Sequence, residues 1–161
     1  MKLHLGCGYV HLPEDINVDI KALETVDVIA DVRNLPFRKE SASLIESYHV
    51  FEHIPRQQAK DCLKEWYRVL KKGGRLIIEC PDFDQNCKDY LAAKTAEETL
   101  RSMSFIFGGD TIAAEDAHRW GYNFQLLGRM LSMIGFGKIY RTQPQAGYIN
   151  IGACLRMEAE K

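Results

Sequence analysis

Four short apolar runs near the start of the chain each end on glycine, acid or imidazole. Leu3–Leu5 runs into Gly6-Cys7-Gly8, Ile16–Ile20 closes around Asp19, and Val26–Val32 carries Asp31. The fourth run, Leu44–Val50, exits through His49, Glu52, His53 and Pro55. In an open parallel sheet, ligands bind outside the carboxyl ends of the strands, near the point where strand order reverses. Chemistry-bearing residues repeated at strand exits therefore constrain the fold more than any one motif does.

The rest of the chain supplies the helices such a sheet needs. From Gln57 to Leu70, Ala59, Leu63, Trp66, Tyr67 and Leu70 recur at helical spacing, with Lys71-Lys72 and Gly73-Gly74 as a stop signal. Arg75–Cys80 is a continuous apolar run of the kind buried on both faces in parallel sheets. The stretch from Phe83 to Trp120 reads as one or two helices plus a loop at Gly108-Gly109-Asp110. Phe124–Ile134 is a clear amphipathic helix, and Lys138–Met157 holds two strand candidates around a turn at Gln143–Gly147. The expected fold is α/β: one domain over 1–161, a doubly wound, mostly parallel sheet ending in an antiparallel hairpin.

Composition removes several function classes. A formal net charge of -1 leaves no basic footprint for nucleic acid, and no apolar run approaches the roughly 20 residues of a membrane helix. The first residues enter a strand pattern at once, without the apolar stretch of a signal peptide. Cys7, Cys62, Cys80, Cys87 and Cys154 form no C-x-x-C pair, which points to reduced thiols and a cytoplasmic setting. Oligomeric state is left open.

The Gly6-Cys7-Gly8 turn lacks the third glycine of the dinucleotide fingerprint and the lysine of a phosphate loop, and alone it would fit an ordinary tight turn. Asp19 gives it meaning, because a carboxylate ending the second strand can accept hydrogen bonds from both hydroxyls of a ribose. Asp31 would face an adenine edge, or else serve as a local cap ahead of Asn34.

In combination, Leu5-Gly6-Cys7-Gly8, Asn17-Val18-Asp19 and Asp31-Val32-Arg33-Asn34-Leu35-Pro36-Phe37 resemble the class I S-adenosylmethionine-dependent methyltransferases. Val50-Phe51-Glu52-His53-Ile54-Pro55 and Tyr67–Gly74 resemble the type 11 branch of that group, and His118–Tyr122 with Leu131–Phe136 resembles its small bacterial members. The resemblance implies a seven-stranded sheet, with a cofactor-binding half over 1–82 and an acceptor side over 83–161. It implies S-adenosylmethionine as cofactor, held by Leu5, Gly6, Cys7, Gly8, Asp19, Ile20, Asp31, Val32 and His49. The backbone of Gly6–Gly8 would meet the methionyl part, Asp19 the ribose, and Asp31 with Val32 the adenine. The chain departs from the family in that Asp19 follows Gly6 by only 13 positions, which leaves room for about one turn of the usual first helix. The first helix is therefore expected to be shortened and the cleft open on that side.

Methyl transfer from a sulfonium is an in-line displacement, and positioning supplies much of the catalysis. A hydroxyl or amine acceptor also benefits from a base, for which His49, His53 and His118 are the candidates. His49–His53 spells H-x-x-E-H, but a strand-end His49 and the nearby Pro55 exclude the helical arrangement a zinc protease needs. Some class I members carry E-x-x-E-H at this exit and hold a divalent cation. Here His49, Glu52, His53 and His118 could form such a set, and the alternative is that Glu52 braces the following helix. Phe105, Phe107, Trp120, Tyr122 and Phe124 are either an acceptor pocket or core under a long connection. The function expected is methyl transfer to a small acceptor, such as a hydroxyl on a sugar or polysaccharide precursor. The rival class is a methyltransferase-like binding module acting through a partner, with a nicotinamide-binding domain third.

Overall fold

A computed structural model describes residues 1–109, 117–145 and 153–161. Its strands are β1 (Lys2–Leu5), β2 (Ile16–Asp19), β3 (Val28–Ile29), β4 (Ala42–Tyr48), β5 (Leu70–Pro81), β6 (Gly137–Thr142) and β7 (Cys154–Glu160). They form one seven-stranded sheet in the order β3-β2-β1-β4-β5-β7-β6. β1 runs parallel to both β2 and β4, β4 runs parallel to β5, and β7 lies antiparallel between β5 and β6. Strand order reverses between β1 and β4, which is where the expected binding crevice opens.

The helices are α1 (Arg56–Val69), α2 (Phe83–Ala92), α3 (Ala96–Phe107) and α4 (Phe124–Ile134), with a single 3-10 turn at Phe51–His53. Their ends follow local chemistry. Thr95 and Glu98 form a reciprocal capping box for α3. Asn123 accepts from Leu126 N (2.8 Å) at the start of α4, and Gly135 closes that helix in the left-handed conformation. At α1 the stop comes earlier than the lysine-glycine signal indicates. The chain passes at Leu70 directly into β5, and Gly73, at φ 71°, falls where the β4–β5 register shifts. The Lys161 ammonium caps the exit, donating to Tyr67 O and Leu70 O, both at 2.7 Å.

The strand expected over Val26–Val32 reduces to the two paired residues of β3. None of the connections between β1 and β4 contains a helix, so the shortened first helix is replaced outright by turns. The two faces of the sheet differ accordingly. Leu3, Leu5, Val18, Ile45, Leu76, Ile78, Leu155 and Met157 form one core with Leu63 and Trp66 of α1 and Leu127 and Leu131 of α4. The opposite face is polar: the register aligns His4 with Asn17 and with Glu46, and Tyr48 with Glu79 and Arg156. These groups satisfy one another. His4 Nδ1 donates to Asn17 Oδ1 (3.0 Å), and the Asn17 amide donates to Leu12 O (3.0 Å), Asp15 O (3.1 Å) and Asp27 Oδ2 (2.9 Å). A hydrogen-bonded layer of side chains and turns thus occupies the place of the missing helix.

Candidate active site

Every strand exit singled out from the sequence except the buried ends of Leu5 and Cys7 opens into one cleft of about 1140 Å³. Gly6, Gly8, Asp19, Ile20, Asp31, Val32, His49 and His53 line it. Leu5 and Cys7 are buried beside it and lend it only backbone, and burial pushes the Cys7 thiol up to about 11. At the glycine turn, a Cβ on Gly6 would sit 2.2 Å from Val50 Cγ2 and would have to adopt φ +69°. Glycine is required there by both contact and conformation.

Asp19 is 8% exposed, yet it borders the cleft. Its Oδ2 accepts from Gly8 N (2.8 Å) and its Oδ1 from Lys21 N (2.9 Å), which fixes the carboxylate plane. Each oxygen keeps a lone pair for a ligand. Asp31 is engaged differently. The Arg33 side chain donates to both its oxygens, through Nε at 2.9 and 3.0 Å and Nη2 at 2.5 Å, and holds the Asp31 carboxyl below its ordinary range. Its main-chain carbonyl accepts from Asn34 N (2.9 Å), so the local turn role and the place at the cleft coexist.

His49 occupies the left-handed region at φ 53°, unusual for a residue with a side chain. Its Nδ1 is 3.2 Å from Glu52 Oε1, and its Nε2 is 3.6 Å from Cys154 Sγ and 4.0 Å from Glu79 Oε1. Burial opposes charge on the ring, but contact with Cys154 and Glu52 outweighs it and pushes His49 up to about 10. In this geometry the ring favours its protonated form over the free base. His53 Nδ1 faces Ala117 O (3.3 Å), which assigns the proton to Nδ1 and leaves Nε2 its lone pair. His118 lies outside the main cleft, with Nδ1 facing Phe105 O (3.1 Å), and burial lowers its affinity for a proton.

The four proposed metal ligands fall into two clusters. Glu52, His53 and His118 offer ligand atoms within 4.8 Å of one another, whereas His49 groups with Glu79 and Cys154. Glu52 is 2% exposed, and neither of its carboxylate oxygens receives a hydrogen bond of ordinary geometry. It does not cap α1, which begins at the Pro55 N-cap without a side-chain bond. Among the five aromatics, Trp120 alone lines the cleft, and Arg56 stacks on its ring at 4.6 Å. Tyr122 is core, its ring 4.8 Å from that of Phe51. Arg33, Arg56, Arg119, Glu79 and Cys154 escape the sequence reading. Arg33 and Arg119 stand inside motifs that carry the family resemblance, and Arg56 directly follows one, yet none was given a role.

A family model described as a methyltransferase domain matches residues 3–78. No match is found among curated proteins. Among solved structures, a SAM-dependent methyltransferase from Methanosarcina mazei is similar at 16% identity and TM-score 0.65, over 99% of this chain and 91% of that one. One from Thermotoga maritima is similar at 16% identity and TM-score 0.62, over 99% and 81%. Human N-acetylserotonin methyltransferase in complex with SAM is similar at 13% identity and TM-score 0.56, over 92% of this chain and 41% of its own. Over β1 to β5 the chain thus matches a methyltransferase domain, and over nearly its whole length it shares the fold of solved S-adenosylmethionine-dependent methyltransferases.

Proposed function

We propose that the protein transfers a methyl group from S-adenosylmethionine to a small acceptor bound on the His53–Trp120 side of the cleft. The observation that carries this reading is Asp19, a nearly buried carboxylate fixed by Gly8 N–H and still open to the cleft. Asp19 would accept from the ribose hydroxyls, the Gly6–Gly8 backbone would approach the methionyl part, and Asp31 with Val32 would frame the adenine. The cationic His49 would neighbour the methionyl end. The acceptor oxygen attacks the methyl carbon as the carbon–sulfur bond breaks. His53 Nε2 takes the hydroxyl proton, and S-adenosylhomocysteine leaves as a neutral thioether. The resemblance of residues 118–136 makes a hydroxyl on a sugar or polysaccharide precursor the first acceptor to try. The same proposal takes 1–161 as one catalytic domain working in the cytoplasm, in keeping with five cysteines that form no disulfide among the described residues.

Calorimetric titration of metal-free protein with S-adenosylmethionine, S-adenosylhomocysteine and NAD tests the cofactor, and formation of S-adenosylhomocysteine with an acceptor panel tests turnover. Binding of the first two with none of NAD, followed by turnover, supports the reading. Binding without turnover across the panel would favour the partner-dependent binding module.

A divalent ion is a second reading, favoured by Glu52. His49 Nδ1 lies 3.2 Å from one oxygen of this buried carboxylate, and a cation would satisfy its remaining lone pairs. Glu52, His53 and His118 would supply a mixed N/O set suited to zinc or a related transition metal, each histidine oriented by its backbone carbonyl contact. His53 would then be a ligand, not the base. Zinc binding by the wild type that Glu52→Gln abolishes would establish this version; activity undiminished by chelator would remove it.

A further inference from the structure

The cleft carries carboxylates at one end only, beside Lys21 and Arg33. Its acids, Asp19 and Asp31, sit at the exits of β2 and β3, and both carboxylates already have partners in Gly8, Lys21 and Arg33. Beyond β4 the lining is instead Arg56, Arg119, His53 and Trp120. Among the described residues, no carboxylate lies within 4.0 Å of either the Arg56 or the Arg119 guanidinium.

This basic end is built by contacts across the sequence. The main-chain N–H groups of Arg119 and Trp120 both donate to Glu52 O, at 2.7 and 3.2 Å, and His53 reaches Ala117 O. The 117–120 segment is thereby strapped to the turn that precedes α1. The guanidinium of Arg56, the first residue of α1, lies over the Trp120 ring. α1 has no acid in its first turn, so its dipole adds to the same positive potential. Two guanidinium groups lining one cavity, with no carboxylate partner among the described residues, can each donate paired hydrogen bonds to two oxygens of a carboxylate or phosphate.

We propose that the methyl acceptor is an anion, bearing a carboxylate or phosphate clamped by Arg119 and Arg56, with its body against the Trp120 ring. The proposal rests on the methyltransferase reading and narrows its substrate class. Neutral sugars are thereby disfavoured relative to acidic or phosphorylated ones. Segregation also keeps the anion away from Asp19 and Asp31, so acceptor and cofactor would sort to opposite ends of the cleft.

The test titrates benzoate, phenyl phosphate and neutral benzyl alcohol into wild type and Arg119→Met, each with and without saturating S-adenosylhomocysteine. Calorimetry and tryptophan fluorescence follow binding; Trp66 is fully buried, so a ligand-induced change reports on Trp120. At least one anion should bind at least about tenfold more tightly than benzyl alcohol, more weakly as salt is raised, and the preference should vanish in Arg119→Met. S-adenosylmethionine affinity should stay within about twofold in that variant. Anions binding no better than the alcohol would overturn the proposal, as would a preference that survives Arg119→Met. An equal loss of S-adenosylmethionine affinity would also overturn it, by showing that the arginines grip the cofactor's own carboxylate. Failure of the underlying methyltransferase reading is read separately, as absent cofactor binding in wild type.

Discussion

Gly8 N lies 2.8 Å from Asp19 Oδ2, which makes the loop leaving β1 and the end of β2 a single unit. Replacing Asp19 by Ala removes the proposed ribose acceptor and also frees the N–H groups of Gly8 and Lys21. Hydrogen bonds to charged groups contribute about 1.5–3 kcal/mol, so S-adenosylmethionine affinity should fall at least about tenfold. Calorimetry checks the affinity, and circular dichroism should show a folded protein with a modestly lowered Tm.

Gly6 offers a test that separates contact from conformation. Gly6→Ala drives a methyl into Val50 and keeps a strained φ, and it should cost about 2–4 kcal/mol along with most cofactor affinity. Adding Val50→Ala relieves the clash but not the dihedral. The double variant should recover part of the loss in a denaturant titration, not all of it.

The polar face of the sheet makes stability depend on pH. His4 is fully buried, and burial lowers its pKa from 6.5 despite the hydrogen bond from its ring to Asn17. A histidine whose folded pKa is depressed favours the unfolded state once protonated. Its contribution is therefore intact above about pH 6.5 and is lost as pH falls below that value. Stability measured by denaturant should drop between about pH 7 and 5, and His4→Gln should flatten this segment of the profile.

Asn17 ties the same layer together through its side-chain amide. Asn17→Ala leaves Leu12 N and the His4 ring without their shared acceptor and should cost about 2–4 kcal/mol. A variant as stable as wild type would show that solvent replaces the network.

Lys161 should behave as a helix cap. Its ammonium donates to the Tyr67 and Leu70 carbonyls at the end of α1 and lies 4.5 Å from the Tyr67 ring centre. Lys161→Met should lower stability by about 1–3 kcal/mol while leaving cofactor affinity unchanged, as thermal unfolding and calorimetry would show.

What could be read in the sequence was what depends on short-range pattern. Gly6, Gly8, Asp19 and Asp31 stood out because strand period and turn chemistry set strand exits locally, and Phe124–Ile134 because cap, apolar spacing and terminal glycine agree. The start of β5 was misplaced because Lys71–Gly74 carries every mark of a helix stop, while pairing with β4 extends the strand through it. The state of His49 was not legible. Its charge depends on Cys154, over a hundred residues away on an antiparallel strand, and on a left-handed backbone that no neighbouring residue type announces. The arginines of the acceptor end were hidden for the same reason, since only the strap from Arg119 to Glu52 brings them to one cavity. The gap of Gly6 to Asp19 foretold a shortened helix, not its complete loss or the Asn17-centred layer that takes its place.

A sheet armoured on one side only does not resist opening evenly. β2 and the two-residue β3 lie at its edge, held by backbone pairing and side-chain hydrogen bonds where a packed helix would otherwise stand. Such margins breathe at a lower free energy than strands locked beneath α1, and their amides exchange with solvent sooner. Asp19 stands on that margin. A ligand that bridges it to the β1 loop would serve as the absent buttress, slowing exchange across β2 and β3 while leaving β4 and β5 as they were.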